Sequence, residues 1–88
     1  MPILSMFYGI IIRMYSETGE RHHIPHIHCA YAGDEAVIDL EGNVIKGELP
    51  SKQTKLVQAW IVLHKDELDA NWELLSNHEQ PFKINPLQ

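Results

Sequence analysis

The chain of 88 residues is short of positive charge: seven lysines and arginines face twelve aspartates and glutamates, a formal net charge of −5 with histidine neutral. Affinity for a phosphate backbone draws on lysine and arginine, so this balance argues against a nucleic-acid coat protein. It leaves room for one small cationic spot, because Arg13, Arg21 and Lys46 flank the histidine-rich region. Cysteine is scarcer still: Cys29 stands alone, which excludes an intrachain disulfide and suits a reducing compartment. No apolar run reaches the roughly 18–20 residues needed to span a bilayer, so no membrane partner is expected. The opening Met-Pro-Ile-Leu-Ser-Met-Phe-Tyr-Gly-Ile-Ile-Ile lacks a basic leader and a small-residue cleavage site. It reads as a strand, and the expected location is cytoplasmic. Repeats, low-complexity tracts and long linkers are missing, and the 44% hydrophobic content is that of an ordinary globule. Residues 1–88 are therefore expected to form a single domain, burying about 60–65% of the unfolded surface.

Histidine, by contrast, is concentrated. Four of the six lie within the run Arg-His-His-Ile-Pro-His-Ile-His, at His22, His23, His26 and His28. Its unperturbed pKa near neutrality suits both proton transfer and metal ligation. The segment His26-Ile27-His28-Cys29-Ala30-Tyr31 alternates like a strand, so His26 and His28 project side by side from one face.

The order of patterns, strands first and helix second, predicts an α+β fold: a four-stranded, mainly antiparallel sheet followed by two C-terminal helices packed on one face. Residues 6–15 are apolar almost throughout and read as a central strand, followed by a polar loop over 16–25. Further strands are expected over about 26–32, 35–41 and 44–49, so that the strands together lie within about 3–49. Gly33-Asp34 and Gly42-Asn43 suit two tight hairpins. In that register Ala32 faces Glu35, His28 faces Asp39, and Asp39 faces Lys46; a slip of the first turn by one residue moves Asp39 opposite His26. Ile27, Cys29, Tyr31, Ala36, Ile38, Leu40, Ile45 and Leu49 then form an apolar face, and His26, His28, Glu35, Asp39, Lys46 and Glu48 a polar one. Helical periodicity occupies about 51–78, with Leu56, Trp60 and Leu63 in one group and Leu68, Trp72 and Leu75 in another. Ser51 is the expected first N-cap and Asp66 the second, with a bend near His64-Lys65-Asp66. An extended tail over 81–88 docks on the rest.

The assembled pattern runs Phe7-Tyr8-Gly9-Ile10, Ile12-Arg13-Met14-Tyr15, Pro25-His26-Ile27-His28 and Gly47-Glu48-Leu49-Pro50. It continues with Trp60, Leu63-His64, Glu67-Leu68, Asn71-Trp72-Glu73 and Ile84-Asn85-Pro86-Leu87. It resembles the small bacterial family called domain of unknown function 4160, over nearly the whole chain. That family usually reads Pro-His-Phe-His, so Ile27 departs from it, as does Ile24 where a further proline is usual. The resemblance implies membership of a toxin–antitoxin-type pair, often beside a small protein of the domain of unknown function 2442 family. It brings no catalytic residues.

The residues themselves support three readings. In the first, the chain is the toxin component, RNA-directed, and acts as a metal-independent ribonuclease. His26 and His28 divide the general acid and base roles, Asp39 orients one ring, and Arg13, Tyr15 and Lys46 bind substrate, with the cations countering developing phosphorane charge. In the second, it is a non-enzymatic interaction module, an antitoxin or regulator that pairs with a cognate small protein or with a second copy of itself. The first two readings need no cofactor; in the third the chain binds a metal such as zinc through the histidine cluster His22, His23, His26 and His28, the strand pair acting with Asp39 and with His22 or His23 from the loop. The bland alternative, half-exposed histidines on a solvated sheet face, stands beside all three. His64-Lys65-Asp66-Glu67-Leu68 lacks the His-Glu-x-x-His spacing of a zinc protease helix. Cys29 alternates away from His26 and His28, which reads as a buried structural thiol.

Overall fold

The computed structural model describes residues 3–15 and 24–88. His22, His23 and most of the expected polar loop lie outside the described residues. The apolar run expected as one strand is two: β1 (Ile3–Phe7) and β2 (Ile10–Arg13) form a hairpin. Tyr8 and Gly9 between them take positive φ, 48° and 79°, the pair of left-handed residues that a type I′ turn needs to match strand twist. Apolar residues occupy both faces of this run, including the exposed Met6 and Tyr8, so the sequence carries no alternation and periodicity could not mark the reversal. β3 (His26–Tyr31), β4 (Asp34–Asp39) and β5 (Val44–Gly47) complete a five-stranded antiparallel sheet in the order β1-β2-β3-β4-β5. The α+β class stands, with five strands rather than four.

The β3–β4 hairpin takes the slipped one of its two expected registers, and the β4–β5 hairpin departs from its own. The β3–β4 turn is Ala32-Gly33, with φ of 48° and 91°, so Tyr31 faces Asp34, His26 faces Asp39 and His28 faces Val37. Gly33 thus occupies the second position of a type I′ turn, where the sequence suggested a glycine-first type II′ turn. Shifting the turn by one residue moves every partner by two and leaves each side chain on its own face. Alternation therefore could not choose between the two. In the β4–β5 pair, Val37 faces Lys46 but Ile38 faces Val44, leaving Ile45 as the extra residue of a bulge. Asp39 is consequently not opposite Lys46, and Ile45, expected on the apolar face, is 50% exposed.

α1 (Ser51–Leu63) and α2 (Lys65–Ser76) meet at His64, whose φ of −121° breaks the helix where a bend was expected. Pro50 holds the N-cap place expected for Ser51, and Thr54 Oγ1 donates to the carbonyls of Leu49 and Pro50. His64 takes the second N-cap place, leaving Asp66 and Glu67 in the first turn of α2, where the helix dipole favours carboxylates. Val57, Trp60 and Ile61 of α1 and Leu68 of α2 share one buried cluster with Phe7, Ile10, Ile12, Ile27, Cys29 and Ile38 of the sheet. The tail is tied down at three points: fully buried Asn71 grips the backbone N–H and carbonyl of Phe82, Ile84 donates to Leu4, and Trp60 Nε1 donates to Asn85. Among the described residues no helix is long and apolar enough to cross a membrane.

Candidate functional site

With the apolar residues of the sheet gathered under the helices, the opposite face carries the polar side chains. Strand pairing sets Arg13 of β2 beside His28 of β3, His28 beside Val37 of β4, and Val37 beside Lys46 of β5. At about 4.8 Å per strand, this row spans roughly 14 Å from Arg13 to Lys46. Tyr15, two residues beyond Arg13, stacks on His28 with ring centroids 4.3 Å apart and an interplanar angle of 17°. Its hydroxyl lies 3.2 Å from His28 Nδ1. Arg13, Tyr15, His28 and Lys46 all line one groove of about 320 Å³, with Val37, Glu35 and Gly47.

Three of the expected substrate-binding residues are thus brought together around one of the two expected catalytic histidines. The second, His26, is buried, at 8% exposed, and does not line this groove. Its Nδ1 lies 2.6 Å from the carbonyl of Ile24; a carbonyl only accepts, so Nδ1 carries the proton and Nε2 holds the lone pair of the neutral ring. The His26 ring meets His28 edge-on at 5.2 Å and Trp72 of α2 at 5.1 Å. A chain of four rings, Trp72, His26, His28 and Tyr15, therefore links the second helix to the groove.

Asp39 does not orient either histidine. Its Oδ1 accepts the backbone N–H groups of Glu41 and Asn43, each at 2.9 Å, and Oδ2 accepts the Asn43 side chain at 3.2 Å. Desolvation by burial pushes the Asp39 carboxyl upward, but these hydrogen bonds outweigh it and hold the group below its ordinary value. Its work is to fold the β4–β5 connection. Burial alone pushes the Cys29 thiol up to about 12, so at neutral pH it stays protonated and no nucleophile.

Among the described residues, ion pairs join His64 to Glu67, and Lys65 to Asp69 and Glu41, while Arg13 and Lys46 enter none. Lys52, Lys55 and Lys83 likewise enter none, so what marks Arg13 and Lys46 is their place beside His28 in the groove. Among the described residues no three or more His, Cys, Asp or Glu side chains are grouped to hold a metal, and the expected ligands His22 and His23 lie outside them.

Gly47 and Trp72 belong to the site in ways that the sequence hid. Gly47 adopts φ +71°, and a Cβ there would stand 2.2 Å from the Glu35 carbonyl oxygen; the glycine permits β5 to approach β4 this closely beside the groove. Trp72 follows a helical period and reads as core, and only the packing of α2 brings it to His26.

The family model described as domain of unknown function (DUF4160) matches residues 9–73. No curated protein and no solved structure matches the chain. The matched stretch holds Arg13, Tyr15, His26, His28 and Lys46 and spans well over half of the residues, so the chain belongs to the DUF4160 family.

Proposed function

We propose that this chain is the toxin-type member of a two-protein pair, working in the cytoplasm on RNA through the groove centred on His28. The observation that carries the reading is the row of Arg13, His28 and Lys46 lining one groove, with Tyr15 stacked on the histidine. In this mechanism the neutral His28 ring removes the proton from a ribose 2′-hydroxyl. The 2′-oxygen attacks the adjoining phosphorus, and the 5′-oxygen leaves with the proton returned by His28. The products are a 2′,3′-cyclic phosphate and a 5′-hydroxyl, and no metal enters the step. Arg13 and Lys46 counter the charge that grows on the phosphorane oxygens. His26, held by Ile24, buttresses the His28 ring.

Acid–base catalysis by a positioned side chain contributes about 10²–10⁴-fold, and His28→Ala should lose that factor. The test is growth after induced expression, wild type against His28→Ala at matched soluble levels, followed by cleavage of a labelled RNA. Arrest by both proteins would remove His28 from the mechanism; arrest by neither would remove the toxin reading.

A second reading, the interaction module, draws on a separate surface. β1 is flanked by the tail through Ile84, whereas β5, at the other edge of the sheet, is exposed along its length with Val44 and Ile45 on it. Such an edge suits strand addition by a cognate small protein, or by a second copy. A stable complex indifferent to His28→Ala and lost on Ile45→Lys would favour it.

A further inference from the structure

Size, charge spacing and wall chemistry together narrow what the groove holds. Its volume of about 320 Å³ lies at the bottom of the roughly 300–1,000 Å³ range of ligand sites, enough for one nucleotide unit and too little for the flank of a duplex. Its two cations sit at opposite ends of the row, and Glu35 lines the same cavity. A carboxylate among the cations makes a poor host for a compact polyanion and suits charges spaced along a backbone. The wall between is aromatic, made by the stacked Tyr15–His28 pair. A cationic groove with an aromatic platform holds single strands without reading their sequence, whereas an A-form duplex keeps its base faces stacked inside.

We infer that the groove binds single-stranded RNA one nucleotide deep, a base lying against the Tyr15–His28 wall and the adjoining phosphates reaching Arg13 and Lys46. The inference rests on the RNA-directed reading above and adds the strand state and the way the strand is held. The net charge of −5 places the attraction in these two side chains and not in a diffuse positive field. For single strands the slope of log affinity against log salt is about −0.7 per phosphate neutralised, so two contacts give about −1.4.

The test uses a short fluorescein-labelled RNA strand carrying 2′-O-methyl groups, which blocks cleavage through the 2′-hydroxyl and separates binding from catalysis. Fluorescence anisotropy should show the single strand bound at low salt with a slope near −1.4, and its annealed duplex bound far more weakly. Arg13→Ala and Lys46→Ala should each bring the slope to about −0.7. Tyr15→Leu should weaken binding by about 5- to 150-fold, the range for one stacked base, while Tyr15→Phe, which keeps the ring, should bind as wild type does and controls for folding. Equal affinity for the duplex, indifference to Tyr15→Leu, displacement by an equal concentration of pyrophosphate, or no binding at low salt would each overturn the inference. Binding as described without cleavage of unmodified RNA would leave it standing and remove the ribonuclease reading alone. Cleavage of RNA that ignores Tyr15→Leu would remove the inference and leave that reading.

Discussion

Substituting Gly47 with alanine separates two costs that usually arrive together. Gly33 and Gly47 both hold positive φ, +91° and +71°, a conformation that costs an L residue roughly 1–2 kcal/mol. At Gly33 nothing lies within 4 Å of the added carbon, so Gly33→Ala should lose only that amount. At Gly47 the new carbon would stand 2.2 Å from the Glu35 carbonyl oxygen and 3.3 Å from Ala36 Cα. Both are backbone atoms that cannot rotate aside. The strands must separate, and the bond from Glu48 N–H to the Glu35 carbonyl, 3.2 Å long, is lost with its neighbours at about 0.5–1.5 kcal/mol each. Gly47→Ala should therefore lose about 2–5 kcal/mol, against a total of about 4–13 kcal/mol for a chain of this length. Thermal melting reads the difference: at about 4–8 °C per kcal/mol, the Gly33→Ala midpoint should fall about 4–16 °C and that of Gly47→Ala about 8–40 °C, roughly twice as far or more in the same experiment. Because β5 is an exposed edge strand, the damage should stay local, displacing Lys46 from the groove while the remaining sheet holds. Equal losses at the two glycines would refute the steric reasoning and the close strand approach it explains.

Two further outcomes follow from the buried and hydrogen-bonded groups. The Asp39 carboxyl is held below its ordinary value in the folded protein, so its contribution to stability is complete above the unfolded value of about 3.9 and is lost as pH falls through the lower folded value. Urea titrations from pH 6 downward should show wild type losing stability below about pH 4, a loss smaller in Asp39→Asn; identical acid profiles would contradict the loop role. Burial pushes the Cys29 thiol up to about 12, so iodoacetamide at pH 8 should leave the native protein unmodified and alkylate it fully in denaturant. Native labelling at the rate of a free thiol would show that the face beneath the helices opens readily.

Strand alternation and helical period were enough to place Ile27, Cys29, Ala36 and Ile38 on one face, His28 and Lys46 on the other, and a helix break at His64. They could do so because each depends only on local spacing and on the sign of a residue's preference for water. The same local rules missed the Tyr8-Gly9 reversal, where both sides of the turn are apolar. They also left the β3–β4 register open, since the two candidate turns preserve every face.

The candidate site divides in the same way. That histidines 26 and 28 share a face, and that Arg13 and Lys46 lie near them in a chain with few cations, was written in the order of residues. Which histidine lines the groove was not. Cross-strand pairing puts Arg13 beside His28 and, across Val37, brings Lys46 into the same row. The packing of α2 sets Trp72 on His26, and a loop of hydrogen bonds claims Asp39. Sequence spacing determined which side chains could meet; pairing between distant strands and the docking of a helix decided which ones do, because those contacts are set by where whole elements pack and not by any neighbour along the chain.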